Sequence, residues 1–129
     1  GVNMGTRVMA TKEAPIHDKV KQRLVEADER DTDLIFRTMR NTSRIARNAI
    51  SKQVLEMERE GKTIQEIGPL VAGVRGKVVY ETGDLDHGVW SAGMVQGLIH
   101  DVPSCKELID RFISEAKKII EGRLKPMAA

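Results

Sequence analysis

Gly1-Val2-Asn3-Met4-Gly5-Thr6-Arg7 is the stretch on which the reading of this chain turns. Val2-Asn3-Met4 is a short apolar run that meets a Gly-containing turn, so a strand ending near Gly5 is the simplest expectation. A glycine there lets backbone approach an anion without interference from a Cβ. Successive N–H groups, with the Thr6 hydroxyl, can then hold phosphate oxygens. A plain strand-to-loop turn is the competing reading of the same residues. A lone strand leaves its ladder groups unpaired, and that points to a sheet supplied from outside the chain.

Working outward, Pro15 suits the first position of a helix, where a missing N–H costs nothing. Ile16, Val20 and Leu24 follow at four-residue spacing, the mark of an amphipathic helix, which fades near Ala27 into Asp28-Glu29-Arg30-Asp31. Leu34-Ile35-Phe36 is too short for periodicity to decide, and a strand is preferred. Asn41 or Thr42 is expected to cap a helix with Ile45, Ala49, Ile50, Val54 and Met57 inward and Gly61 at its end. Thr63-Ile64-Gln65-Glu66 is a capping box that opens a short helix toward Leu70 and Val71. Gly73, Gly76 and Gly83 predict turns. Asp84 or Asp86 is expected to cap a helix containing Trp90, Met94 and Leu98. Pro103-Ser104-Cys105-Lys106-Glu107 is a second capping box, and the stripe Leu108, Ile109, Phe112, Ile113, Ala116, Ile119 and Ile120 makes this the clearest helix. The tail after Gly122 is expected to fray.

The 129 residues suit one domain and fall far short of a complete (β/α)8 barrel, which takes roughly 250. With 40% apolar and 31% charged residues the chain is globular rather than disordered. Aromatics are only 3%, so packing rests on aliphatic side chains. The 21 basic and 19 acidic residues nearly cancel, which gives no general attraction to nucleic acid. Cys105 is the sole cysteine, so no internal disulfide can form. No apolar run reaches the roughly 20 residues that span a bilayer, and no leader opens the sequence. Cytoplasm is the expected compartment.

Other candidate sites read more plainly. Arg40, Arg44 and Arg47 would share one helical face with Arg37 nearby; a solvated face with local ion pairs is preferred over an anion-binding one, since no aromatic residues interleave to stack bases. His17, His87 and His100 show no metal-ligand spacing and read as surface or capping residues. Cys105, at a helix start, reads as structural. Asp84 and Asp86 read as caps or turn formers. Trp90 and Met94, one helical turn apart, read as core.

Taken together, Gly1–Arg7 with Ala10-Thr11-Lys12-Glu13 resembles the last barrel strand and following loop of the nitronate monooxygenase family, once called 2-nitropropane dioxygenases. Ala27–Ile35, Arg40–Ala49 and Trp90–Ile99 resemble a narrower subgroup that includes bacterial NAD(P)H:quinone reductases. Val8 departs from the family pattern, which usually has Phe there. The resemblance implies an α/β fold, the C-terminal portion of an FMN-binding (β/α)8 TIM barrel. It divides the chain into residues 1–13, the last strand and phosphate loop; 14–86, a mostly helical insertion over the active-site mouth; and 87–129, C-terminal helices that pack on the barrel. Gly5 and Thr6 match the positions that hold the FMN phosphate, Met4 is adjacent, and the resemblance implies that Met94 approaches the flavin from the C-terminal side.

The implied parent is an FMN oxidoreductase that takes hydride from NAD(P)H and reduces a quinone. The alternative within the family oxidises alkyl nitronates with O2, and an alternative of another class is a stand-alone helical interaction domain without flavin. The resemblance places the catalytic histidine before Gly1, so no residue here is expected to be catalytic and none to bind a metal. The partners implied are a small-molecule substrate, quinone or nitronate, without nucleic acid or membrane. The fragment alone is expected to be inactive and to self-associate through exposed apolar surface.

Overall fold

A computed structural model describes residues 2–128. Val2-Asn3-Met4 pairs with nothing among the described residues, in keeping with a strand whose sheet is supplied from outside the chain, and Val2 is exposed. Gly1, the first residue of the expected strand, lies outside them. The chain turns at Gly5 into a single helical turn, α1 (Thr6–Met9).

Helix α2 (Asp18–Glu26) starts three residues after Pro15, because the His17 side chain accepts the Lys19 N–H and so fixes the start. Its inward stripe is as read: Val20 and Leu24 are fully buried, and Ile16, just ahead of the helix, packs on the same cluster. Strand β1 (Thr32–Ile35) follows and pairs antiparallel with β2 (Ser43–Ala46), Thr32 opposite Ala46 and Ile35 opposite Ser43. This hairpin replaces the early part of the helix expected from Asn41 or Thr42. Its tip is turned by Phe36 and Arg40, both at left-handed φ (61° and 54°).

Helix α3 (Ala49–Arg59) is capped by Asn48 instead. Asn48 accepts the Ser51 N–H and donates its amide to the carbonyls of Leu85 and Gly88 at 2.7 and 2.8 Å. The chain leaves the helix through Gly61 at φ 74°. Thr63 and Glu66 close the expected capping box of α4 (Ile64–Val71). Gly73 and Gly76 then sit inside a helix, α5 (Gly73–Thr82), rather than in turns. A Cβ at Gly76 would lie 2.7 Å from the Val89 carbonyl oxygen, so close packing there uses a residue that helix propensity disfavours. Gly83 ends α5 at φ 72°.

The expected helix through Trp90 does not form. Trp90 lies in an extended run whose carbonyl accepts the Ala46 N–H at 2.9 Å, and Ser91 bridges to Ile45. Asp86 caps α3 by accepting the Ala49 N–H at 2.7 Å. Met94–Leu98 makes a short 3-10 helix. Helix α6 (Cys105–Ile119) opens with the Ser104–Glu107 capping box as read. Helical backbone continues past Gly122, through a π-helical stretch (Ile120–Leu124) into α7 (Lys125–Ala128), where fraying was expected.

Two apolar clusters hold these elements. One joins α2, α5 and the Trp90–Ile99 run through Val20, Leu24, Val79, Trp90, Ala92 and Ile99. The other places Ile35 and Ile45 of the hairpin against Ile50, Val54 and Ile67. Arg44 and Arg47, expected on a helical face, belong to the hairpin: Arg44 donates to the Thr32 hydroxyl and Arg47 pairs with Asp33 at 3.1 Å.

Candidate functional site

Gly5 has right-handed helical backbone (φ −78°, ψ −69°) and its carbonyl accepts the N–H groups of Val8 and Met9 at 3.1 and 3.2 Å. That leaves the N–H groups at the start of the turn without helical partners. Those of Gly5, Thr6 and Arg7 have no acceptor among the described residues. A Cβ on Gly5 would meet nothing within 4 Å, so the space beside it is open.

The Thr6 hydroxyl accepts the Gly93 N–H at 2.8 Å, joining segments 87 positions apart. A Cβ on Gly93 would stand 3.2 Å from that hydroxyl. Having accepted this bond, the hydroxyl keeps its own proton for another acceptor. The bond sets Gly93, the residue before Met94, against Thr6. Met94 is 51% exposed and so is not core, whereas Trp90, at 3%, is. Met4 lines an apolar groove of about 640 Å³ with Val2, Ile109, Phe112 and Ile113.

Two further ties fix the turn. Arg7 reaches Asp101, and the Thr11 hydroxyl donates to the Val8 carbonyl at 2.8 Å. Glu13 accepts the Cys105 N–H at 2.9 Å, which holds its carboxyl below the usual glutamate range and occupies the start of α6. Cys105 itself donates to the Thr11 hydroxyl at 3.6 Å. Sequence reasoning missed Gly93 and the Arg7–Asp101 pair. Gly93 lies inside the Trp90–Ile99 stretch already singled out; the pair spans 94 positions and leaves no local signal.

Two of the three histidines stand in other roles. His17 caps α2, and His87 Nδ1 lies 3.5 Å from an Asp84 carboxylate oxygen. Among the described residues no group of His, Cys, Asp and Glu could hold a metal ion, and no helix is long and apolar enough to cross a membrane. A more polar cleft, also of about 640 Å³, is lined by Phe36, Met39, Glu58, Lys62 and Thr63 and shares no lining residue with the Met4 groove. Its buried Glu58 is already satisfied by the Phe36 N–H and the Thr38 hydroxyl.

The nitronate monooxygenase family model matches residues 1–115. FabK from Thermotoga maritima is similar in structure, with a TM-score of 0.83 and 28% identity, over 92% of this chain and 37% of that protein. A methionine-to-alanine variant of it matches at a TM-score of 0.75 and 25% identity, over 92% and 35%. A protein of Rhodococcus jostii (strain RHA1), (3aS,4S,5R,7aS)-5-hydroxy-7a-methyl-1-oxo-octahydro-1H-indene-4-carboxyl-CoA dehydrogenase, is 29% identical over 95% of this chain and 45% of its own length. The chain thus spans less than half the length of these relatives.

Proposed function

This chain belongs to the nitronate monooxygenase family, and from that premise we propose that it is the C-terminal share of an FMN-dependent oxidoreductase whose flavin phosphate is anchored at Gly5 and Thr6. The observation that carries the reading is the Thr6–Gly93 bond, which gathers the two family-like segments at one point beside free donors. The donor set suits a phosphate: three backbone N–H groups, a hydroxyl proton and open space at Gly5. Backbone donors held by a folded turn bind anionic oxygens without a reorganisation cost. Met94, half-exposed next to Gly93, supplies an apolar and polarisable contact for a flat ring.

Bound FMN supplies acceptance of hydride from NAD(P)H and delivery of two electrons to an acceptor. The chain's own share is to fix the phosphate end, present Met94 and, through residues 14–86, cover the mouth of the site. Residues 87–128 would pack on the barrel, with the exposed Ile109 and Ile113 face of α6 turned to it. The preferred acceptor is a quinone, on the resemblance of the Asn41–Ala49 and Trp90–Ile99 stretches to the quinone reductase subgroup. The family description favours a second reading, oxidation of an alkyl nitronate with O2.

Stopped-flow reoxidation of the NAD(P)H-reduced full-length protein distinguishes them. Without O2, NAD(P)H is expected to bleach the oxidised flavin and a quinone to restore its absorbance, whereas propionate 3-nitronate, an electron donor in the second reading, is expected to leave the oxidised flavin unreduced. Rapid turnover of the nitronate with NADH consumption unmoved by quinone would replace the first reading with the second.

A further inference from the structure

Helix α1 is a single turn with no buried residue and no side-chain cap, and so short a helix does not hold its own shape in water. What orients it is Arg7, whose side chain is only 11% exposed. One terminal nitrogen donates to an Asp101 carboxylate oxygen at 3.2 Å; the other donates to the Ala10 carbonyl at 2.9 Å and the Asp101 carbonyl at 3.0 Å. Arg111 donates to the second Asp101 carboxylate oxygen at 2.7 Å. The hydrogen bond from Arg111, and then the charges of both guanidiniums, hold the Asp101 carboxyl below the usual aspartate range.

Arg7 Nε is buried and has no partner among the described residues. A buried donor without an acceptor is a cost to folding, one that an apolar side chain at this position would not carry. The two terminal nitrogens nonetheless tie α1 to Ala10 and to the Asp101 segment, and so place the turn.

We propose that Arg7, anchored by Asp101, is the positioning residue of the phosphate-binding turn, setting the Gly5, Thr6 and Arg7 N–H groups in the direction a phosphomonoester requires; this rests on the proposed FMN reading. Its planar fork spans three acceptors at once, which a lysine ammonium does not reproduce. The effect falls on the phosphate of the ligand and not on its ring.

The test compares FMN with riboflavin, the same ring without the phosphate, by fluorescence titration of the full-length protein and of Arg7→Lys, Arg7→Ala and Asp101→Asn, with near-UV circular dichroism to select folded variants. The wild type is expected to prefer FMN. In Arg7→Lys and Asp101→Asn the FMN affinity drops about tenfold, riboflavin affinity stays within about twofold, and the preference shrinks; Arg7→Ala loses more of it. A wild type that prefers FMN, with variants that lose both ligands in parallel or neither, overturns the positioning role alone. A wild type that binds the two equally overturns the phosphate reading and this role with it.

Discussion

At the residue scale, Gly5 separates binding from folding. Its φ of −78° is open to any L residue, and no atom stands within 4 Å of a built Cβ. Gly5→Ala should therefore leave the melting temperature unchanged or raise stability by up to about 1 kcal/mol. The added methyl would occupy the open space beside the free donors, so FMN affinity should fall in the same variant. A Gly5→Ala protein that binds FMN like the wild type would remove the phosphate from this turn. Asn48 gives the opposite case, a residue whose work is structural. Asn48→Ala removes the cap of α3 and strands the Gly88 carbonyl, while the Leu85 carbonyl keeps the Trp90 indole N–H. The expected loss is about 2–3 kcal/mol in a urea melt, with FMN discrimination intact in the folded fraction.

At the element scale, the part of the acid response that belongs to helix starts follows from three glutamates. Glu66 and Glu107 each accept a backbone N–H in a capping box, and Glu13 accepts one from Cys105 at the start of α6. The backbone bond is the largest cause in each case, and all three carboxyls titrate below the usual range. A folded-state pKa below the unfolded one means that this stabilisation is present above about pH 4.3 and is lost as pH falls through the folded value. Far-UV circular dichroism should show helix lost on acidification below that point, and a Glu13→Gln, Glu107→Gln double variant should have a shallower acid limb. An unchanged limb would show that these carboxylates do not govern α6.

Local signals were the legible ones. Both capping boxes, the exit at Gly61 and the Val20–Leu24 stripe form where read, because each depends on residues within one or two turns. The hairpin was hidden, since Ser43–Ala46 is held by β1 rather than by its own periodicity. Gly76 read as a turn because the Val89 carbonyl that rewards a glycine there is remote in sequence. The site followed the same rule. Gly5 and Thr6 were legible as a turn that can bind an anion, while the hydrogen bond to Gly93 is a product of folding.

At the scale of the whole molecule, the stripe of α6 that the sequence showed most clearly is the one left least covered. Leu108 is buried, but Ile109, Ile113, Ile119 and Ile120 are exposed, as are Val2 and Leu98, the last at 78%. Apolar surface of this kind drives association when nothing covers it. The isolated chain should therefore self-associate in sedimentation velocity at micromolar concentration, and Ile109→Glu with Ile113→Glu should shift it toward monomer; a wild-type chain that stays monomeric would contradict this. The central claim is the place of the phosphate, and a crystal structure of the full-length protein grown with FMN tests it most directly. The account predicts phosphate oxygens within hydrogen-bond reach, about 3 Å, of the Gly5 and Thr6 N–H groups and of the Thr6 hydroxyl. A flavin whose phosphate lies on other loops, with the donors of this turn facing water, would contradict it.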